Sequence, residues 1–300
     1  MNLTRRCPAK VNLFLEVTGK RPNGYHELAT LFAKIDLHDT LQVNLEKAAQ
    51  TDIALSLTGP VGRLLQADET NLVCRAARGF LEHFGLTAQL KITLDKQIPT
   101  GAGLGGGSSD AAAMLLALCD SFQKDKNELL PLAAQLGADV PLFMYENTFL
   151  KGEGIGEQLT PICAKGNLPS LVLIYPNTQV ATADIFRRAR LPEQQQVSAR
   201  QEQLTRLITC LETAQPLSAW SPLLFNRLEE FVLPFHPTVA QAVTDLKAAQ
   251  APAVLMSGSG STVFALAENA VQAKQIASCV SRPERQVFCT GFTESPREYK

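Results

Sequence analysis

The chain has 300 residues, of which 45% are hydrophobic, and its 28 basic and 29 acidic residues leave a net charge of −1. This balance excludes the basic surface typical of nucleic-acid-binding proteins, and the short apolar runs exclude a membrane-spanning helix. The length predicts two domains with an ample core, residues 1–162 and residues 163–300, because the composition changes near residues 161–169.

The cysteines and histidines are scattered through the chain. Seven cysteines without paired spacing indicate free thiols in a reducing compartment, so we expect a cytoplasmic protein. Four isolated histidines offer no zinc-binding spacing, and no metal ligand set is predicted. The apolar stretch behind Arg5 and Arg6 is interrupted by Lys10, Asn12 and Glu16, so we expect no signal peptide or transit segment.

Alternating apolar residues predict that the first half of the chain is rich in strands. A strand at 10–17 places Lys10 and Asn12 on one side, and turn residues predict a loop over 19–27. Further strands are predicted at 28–35, 40–45, 53–57, 88–94 and near 149. Helices are predicted at 71–84, 109–121 and 126–136.

The second half is predicted to mix helices and strands. Strands are expected at 171–175, 253–256, 262–267 and 286–292. Helices are expected at 183–190, 199–211, 220–231 and 239–250, with one more before the last strand. The glycine-rich residues 257–261 lie between two of these strands, where they could form a tight hairpin or part of a site.

Residues 99–113 form the most informative stretch. They begin at Pro99 and contain five glycines in seven residues, which permit positive φ angles and close approach of a ligand. The N-cap residue types Ser108, Ser109 and Asp110, followed by an alanine- and leucine-rich run, predict that a helix begins there. Loop amides and the positive end of the helix dipole then converge on one spot. This combination favours a phosphate site over a merely flexible loop.

Several named glycine motifs fit this stretch poorly. Gly101-x-Gly103-x-x-Gly106 matches the dinucleotide-binding fingerprint by its letters, but the preceding strand stops near Leu94 and no acidic residue closes a second strand. The alternative of a nicotinamide oxidoreductase is therefore supported only by the spacing of these glycines. A P-loop would need a lysine after the glycines, and the companion motifs of protein kinases and hydrolases are missing from the sequence.

Four further residues are candidates for chemistry, and each has an ordinary structural alternative. Lys10 could be a surface lysine whose stem lies along apolar neighbours. Asp139, between a glycine and a proline, could cap a helix or form an ion pair. Tyr25 and His26 lie on a predicted turn, where they could anchor the loop or stack on a flat ligand.

In this order the segments resemble the GHMP kinase superfamily, whose glycine loop reads P-x-x-x-G-L-G and whose C-terminal loop is glycine-rich between two strands. The matching segments are residues 8–13, 19–28, 70–73, 75–77, 96–113, 137–142, 154–159, 180–186 and 255–264. Gly-Tyr-His at 24–26 together with Gly-Leu-Gly-Gly-Gly-Ser-Ser at 103–109 indicates a branch whose substrate carries a cytidine diphosphate group. Residues 190–220 and those after 268 match nothing in this pattern.

The resemblance implies an α+β fold with two domains, a ribosomal-S5-like N-terminal domain and a ferredoxin-like C-terminal domain, with the active site in the cleft between them. It implies ATP as the phosphoryl donor, with Mg²⁺. In this scheme Asp139 takes the proton from the substrate hydroxyl, and Lys10 stabilises the developing negative charge.

The resemblance also implies a set of binding residues. Tyr25 and Phe186 would lie on the two faces of the cytosine ring, with His26 at its edge, while Asn12 and Thr182 would line the pocket. The residues implied to hold ATP are Asn71, Lys96, Pro99, Gly101, Gly103, Leu104, Gly105, Gly106, Gly107, Ser108 and Ser109. Gly106 and Gly107 stand where other members have serines, so no metal-holding serine is implied.

Two further alternatives remain open from the sequence. The chain could be another kinase of this superfamily, acting on homoserine, mevalonate or a sugar, although those enzymes have no cytosine for Tyr25 and His26 to hold. It could be a non-catalytic nucleotide-binding protein on the same scaffold, although it has both Lys10 and Asp139. We expect a monomer or a weak homodimer with a small-molecule substrate.

Overall fold

A computed structural model of the chain describes residues 1–294, and the chain divides into two compact units. Unit 1 consists of Met1–Ala9, Leu37–Thr100 and Gly105–Glu146. Unit 2 consists of Lys10–Asp36, Gly101–Leu104 and Asn147–Lys300, of which residues up to 294 are described. The units are built from interleaved segments, and the domain boundary at residues 162 and 163 stays a prediction.

Two long strands, β1 (Asn2–Lys20) and β2 (His26–Lys47), contribute to both units. In unit 1 they are joined by β3 (Asp52–Thr58) and β4 (Ala88–Asp95), in the order β3-β4-β2-β1. The prediction of two strands at 28–35 and 40–45 is wrong, because β2 runs through both without a break. Residues 36–39 contain neither glycine nor proline, so nothing local ends the strand there.

The helices of unit 1 supply most of its core. They are α1 (Gly59–Gly62), α2 (Leu72–His83), α3 (Gly106–Phe122), α4 (Leu130–Leu136) and α5 (Val140–Met144), with a 3-10 turn at Lys126–Leu129. Helix α2 buries Ala76 and Phe80 on one side, as its periodicity predicts. Helix α3 buries residues on most of its circumference, which fits its alanine- and leucine-rich sequence.

Unit 2 contains two sheets. The first has the order β8-β1-β2-β5-β6 and adds β5 (Phe149–Glu153), β6 (Gln158–Ile162) and the short β8 (Phe225–Asn226). The second is antiparallel, in the order β11-β7-β10-β9, and consists of β7 (Ser170–Tyr175), β9 (Ala253–Met256), β10 (Val263–Ala267) and β11 (Gln286–Thr290). Strand β10 is buried along its whole length, as expected for an inner strand.

The helices of unit 2 follow strand β7 in the chain. They are α6 (Thr182–Arg188), α7 (Gln194–Glu212), α8 (Leu217–Trp220), α9 (Glu229–Val232), α10 (Pro237–Ala248) and α11 (Ala270–Val280), with a 3-10 turn at Ser221–Leu223. Leu246 of α10 and Ile276 of α11 pack in one buried cluster with Val172 and Val263 of the sheet. This mixture of antiparallel sheet and helices confirms the α+β class.

The predicted helix over 220–231 is wrong. The chain instead forms the end of α8, a 3-10 turn, strand β8 and helix α9. Pro222 has no N–H and cannot donate the bond that would continue an α-helix from α8, and β8 pairs in parallel with β1 through Phe14 and Phe225. A long-range strand pairing has therefore replaced a local helical preference.

All seven cysteines, which lie within the described residues, carry free thiols. Across residues 1–294, no group of three or more His, Cys, Asp or Glu side chains is arranged to hold a metal ion. Within the same residues no helix is both long enough and apolar enough to pass through a membrane.

Candidate active site

Lys10 lies in unit 2 at the base of a chain of buried polar side chains. Its ammonium donates a hydrogen bond to Asn12 Oδ1 at 2.9 Å, and Asn12 Nδ2 donates to Thr30 Oγ1 at 2.8 Å. Thr30 Oγ1 donates in turn to the carbonyl oxygen of Phe14 at 2.6 Å. Lys10 is only 5% exposed, which excludes the alternative of a surface lysine. A buried ammonium held in a defined position is suited to stabilising negative charge.

The first part of the glycine loop, Gly101–Leu104, also belongs to unit 2 and is held by its backbone. The amide of Lys10 donates to the carbonyl of Leu104 at 2.9 Å. Ser257 Oγ donates to the carbonyl of Gly103 at 3.0 Å, and the amide of Thr262 donates to the carbonyl of Ala102 at 3.1 Å. These three bonds attach the segment to β1 and to the C-terminal glycine-rich residues.

Residues 257–261 are more than a hairpin, because they pack against Lys10. A Cβ atom on Gly258, whose φ is +56°, would lie 3.3 Å from both Lys10 Nζ and Asn12 Oδ1. A Cβ atom on Gly103, whose φ is +76°, would lie 2.8 Å from the carbonyl oxygen of Gly260. Only glycine at these positions lets the two glycine-rich segments and the lysine approach so closely.

The residues predicted to hold a cytosine ring also lie in unit 2. His26 and Phe186 face each other with ring centroids 5.4 Å apart and planes inclined by 30°. Burial, aided by the charge of Lys20, lowers the pKa of His26, so its ring is neutral at neutral pH and offers one donor and one acceptor. Tyr25 is 58% exposed, and Thr182 Oγ1 lies 2.7 Å from Ser259 Oγ.

The second part of the glycine loop lies in unit 1, and there the predicted helix start is wrong. Helix α3 begins at Gly106, with Gly105 as its N-cap in the left-handed conformation at φ +71°. Ser108 and Ser109 therefore lie within the first turn rather than at the cap. A Cβ atom on Gly106 would be 3.0 Å from Ile98 Cγ2, so the glycine allows the helix end to pack closely on the segment before the loop. The four orphan amides at the start of α3 remain suited to a phosphate.

Lys96, predicted to hold ATP, is engaged in a buried cluster of three charges. Its ammonium donates to the carboxylates of Asp39 and Asp110, the latter at 2.6 Å, and all three side chains are at most 4% exposed. Asp39 Oδ1 also accepts the amides of Gln97 at 2.5 Å and Ile98 at 2.8 Å. The cluster thus fastens the segment before the glycine loop to β2 and α3.

Sequence reasoning missed Asp39 and interpreted Asp110 as a cap. No signal in the sequence distinguished Asp39, because its strand also contains Asp36 and several other polar residues. Asp110 Oδ1 and Ser109 Oγ are buried and have no hydrogen-bond partner among residues 1–294. Unsatisfied buried oxygens are uncommon, and these two lie in the helix turn that follows the glycine loop.

The pKa of Asp110, one member of this cluster, is strongly shifted. Burial raises the pKa of Asp110 to about 7 from its ordinary value of 3.8, with Lys96 opposing the shift and Asp39 adding to it. Burial by itself would lower the pKa of Lys96, but the two carboxylates raise it. The thiol of Cys7, which also faces Asp110, has its pKa raised by burial and stays protonated. The pKa of Asp110 therefore lies near neutral pH.

The raised pKa of Asp110 predicts that the free energy of unfolding falls as the pH rises from about 4 to about 7. In that range the folded Asp110 is protonated and the unfolded one is ionised, so the folded state holds one more proton and loses stability with rising pH. Asp110→Asn should reduce the difference in unfolding free energy between pH 5 and pH 8, measured by urea unfolding. Asp120→Asn, on the exposed side of the same helix, is the control. An equal pH dependence of the unfolding free energy in wild type and both variants would contradict the assignment of this titration to Asp110.

Besides Lys96, Asn71 is the predicted ATP-binding residue that lies outside residues 99–113. It was predicted to be the first helical residue and is the N-cap of α2, where its Oδ1 accepts the amide of Val73 at 3.0 Å. This bond satisfies one orphan donor of the helix. Asn71 therefore has a structural role in unit 1 in addition to any contact with a nucleotide.

Asp139 lies in unit 1 between α4 and α5. It occupies the N-cap position of α5 but has a helical backbone conformation, and within the described residues its side chain makes no capping hydrogen bond to that helix. The five residues that follow are all buried. Capping of α5, one structural alternative for this carboxylate, is therefore not its role.

The family of the chain follows from comparisons with known proteins. The model of the GHMP kinases N terminal domain matches residues 71–147, and that of the GHMP kinases C terminal domain matches residues 206–286. The chain belongs to the GHMP kinase family. The two-domain α+β fold predicted for it is confirmed, and as a family member it is an ATP-dependent small-molecule kinase.

Relatives of this GHMP kinase match it over nearly their whole length. A protein of Lachnoclostridium phytofermentans named 4-diphosphocytidyl-2-C-methyl-D-erythritol kinase is 35% identical over 297 residues, 98% of each chain. A protein of Pelotomaculum thermopropionicum with the same name is 37% identical over 299 residues, 99% of this chain and 100% of that protein. A third, of Burkholderia multivorans, is 39% identical over 90% of this chain and 88% of its own length.

Solved structures agree on the fold. A crystal structure of 4-(cytidine 5'-diphospho)-2C-methyl-D-erythritol kinase matches with a TM-score of 0.77 and 34% identity, covering 97% of this chain and 100% of that one. Homoserine kinase from Cytophaga hutchinsonii matches with a TM-score of 0.78 at 19% identity, covering 98% of this chain and 96% of that one. The second likeness, at low identity, concerns the fold alone.

Proposed function

We propose that this GHMP kinase transfers the γ-phosphoryl group of ATP to the 2-hydroxyl of 4-diphosphocytidyl-2-C-methyl-D-erythritol, in non-mevalonate isoprenoid precursor biosynthesis. The observation that carries this proposal is the pair formed by a neutral His26 and Phe186, with exposed Tyr25 next to His26 in the chain. Flat rings that can stack on a base, and a neutral imidazole that offers one donor and one acceptor, are groups suited to recognising a pyrimidine. The name shared by the relatives supports the same substrate.

The proposed chemistry divides between Asp139 and Lys10. Asp139 accepts the proton of the attacking hydroxyl, and Lys10 stabilises the charge that develops on the transferred phosphoryl group. Phosphoryl transfer depends mainly on positioning and charge neutralisation, and the buried contacts of Lys10 with Asn12 supply a fixed position for its ammonium. Asn12 and Thr182 line the pocket for the reacting end of the substrate.

ATP would be bound through the backbone of the glycine loop. The amides of Gly103 to Gly107 and the first turn of α3 offer donors to its phosphates. Pro99 and Gly101 begin this loop, while Ser108 and Ser109 close it. Lys96 and Asn71 contribute through the positions of the loop and of α2, since their side chains bind protein groups. Mg²⁺ would arrive with the ATP phosphates as part of the nucleotide substrate.

Removing the proposed stacking residue should weaken binding of the cytidyl substrate specifically. Tyr25→Ala is expected to cost about 1 to 3 kcal/mol of binding free energy, the usual worth of an aromatic ring on a base. Steady-state kinetics should therefore give a raised KM for that substrate, with the KM for ATP unchanged. Phe235→Ala, which removes another exposed aromatic ring of unit 2, is the control. An unchanged KM in the Tyr25 variant would make Tyr25 a loop anchor only.

The proposal is tested by ADP release from purified protein with ATP, Mg²⁺ and 4-diphosphocytidyl-2-C-methyl-D-erythritol. Parallel reactions contain homoserine or mevalonate in place of the cytidyl substrate. Turnover with the cytidyl substrate alone is the expected result. Turnover with homoserine or mevalonate instead would assign another activity of the family, and no turnover with any of them, with ATP still bound, would leave only nucleotide binding. The cytoplasmic location and the monomer or weak homodimer remain predictions.

A further inference from the structure

The glycine-rich residues 257–261 are held by one buried side chain outside them. Asn226 is 3% exposed, and its Nδ2 donates to the carbonyl oxygens of Met256 and Gly258, both at 2.8 Å. Its Oδ1 accepts the amide of Leu228 at 2.9 Å. Both amide hydrogens and the carbonyl oxygen of this side chain are therefore engaged, and two of its three bonds hold the start of the glycine-rich segment.

Asn226 itself is fixed to the strand that bears Lys10. It lies in β8, where it is paired with Leu15 of β1, and the amide of Arg227 donates to the carbonyl of Leu15 at 2.8 Å. The guanidinium of Arg227 makes two bonds to the buried carboxylate of Glu16, at 2.8 and 2.7 Å. A two-residue strand would hold a register poorly by itself, so this bidentate ion pair strengthens the attachment.

The segment that Asn226 holds packs on the proposed catalytic lysine. Gly258 is the residue on which a Cβ atom would meet Lys10 Nζ and Asn12 Oδ1, and its carbonyl is one of the two bound by Asn226. On its other side the segment bonds to the glycine loop through Ser257 Oγ and the carbonyl of Gly103. Asn226 thus links β1 to the wall of the lysine site along a path of short hydrogen bonds.

We propose that Asn226 is a positioning residue for phosphoryl transfer, which sets the distance between Gly258 and Lys10 and thereby keeps the ammonium aligned with the glycine loop. The proposal rests on the proposed function of Lys10 and adds a buried residue whose side-chain amide is bound to protein groups. Its effect should appear in kcat rather than in KM, because a small misplacement of a charge-stabilising group affects the transition state more than the bound substrates.

Asn226→Asp is the sharpest test, because it keeps the size of the side chain and the acceptor for Leu228 but replaces the two N–H donors with an oxygen facing two carbonyls. We expect kcat to fall about 10- to 100-fold, with both KM values within about threefold of wild type. Asn269→Asp is the matched control. Asn269 caps α11 by accepting the amides of Val271 and Gln272, and aspartate does this equally well.

A second measurement keeps the test independent of the substrate assignment. The rate at which an amine-reactive reagent labels Lys10, followed by peptide mass spectrometry, should rise several-fold in Asn226→Asp and stay unchanged in Asn269→Asp. If wild type turns over none of the three substrates, the proposed function fails while the labelling still tests the position of Lys10. Unchanged kcat with unchanged labelling overturns the proposal. So does a loss of activity that merely follows the unfolded fraction measured by circular dichroism.

Discussion

Asp139→Asn is expected to lower turnover by about 10²- to 10⁴-fold, the usual worth of a general base. The amide keeps the shape of the carboxylate but cannot accept the proton of the attacking hydroxyl. Because within the described residues the Asp139 side chain does not cap α5, the substitution removes no helix cap. Steady-state ADP release should show the loss in kcat, while equilibrium titration should show that the affinity for ATP and for the cytidyl substrate persists.

Asp125→Asn is the matched control for this experiment. Asp125 lies in unit 1 and caps the 3-10 turn by accepting the amide of Asn127 at 2.9 Å, a bond that asparagine can also accept. It should keep wild-type kcat. Wild-type turnover in Asp139→Asn would remove Asp139 from the mechanism, and a raised KM with unchanged kcat would make it a binding residue.

Asp39→Ala is expected to reduce the free energy of unfolding by about 3 to 5 kcal/mol, the range found when one partner of a buried ion pair is deleted. The substitution leaves Lys96 with a single carboxylate and deprives the amides of Gln97 and Ile98 of their acceptor. Urea unfolding at pH 7, followed by circular dichroism, measures the change. Because the segment before the glycine loop loses its attachment to β2, the KM for ATP should rise as well.

The control is Asp52→Ala, which removes an exposed carboxylate of unit 1 that accepts a bond of 3.2 Å from the side chain of Gln89. A surface change of this kind should stay within about 0.5 kcal/mol of wild type. A loss of less than about 1 kcal/mol in Asp39→Ala would show that the buried cluster adds little to stability, as some buried ion pairs do when their desolvation cost is counted.

The sequence by itself was enough to predict the features that depend on residues close together in the chain. The two-residue period of β1 put Lys10 and Asn12 on one side, and the structure places them in contact at 2.9 Å. The apolar spacing over 71–84 predicted helix α2, and the structure shows Asn71 as its N-cap. The density of glycines indicated positive φ angles, which Gly101, Gly103 and Gly105 adopt. Motifs in a fixed order were enough to identify the family.

The tertiary structure alone decided which distant residues meet. Lys96 pairs with Asp39, 57 positions away, and with Asp110, 14 positions away, and no local pattern distinguishes these carboxylates from the others in the chain. Asn226 lies in what local periodicity predicts to be a helix, until pairing with β1 makes it a strand residue. The physical reason is the same in both cases. A buried polar group must find a partner, and which partner is near depends on how the whole chain packs rather than on its neighbours in sequence.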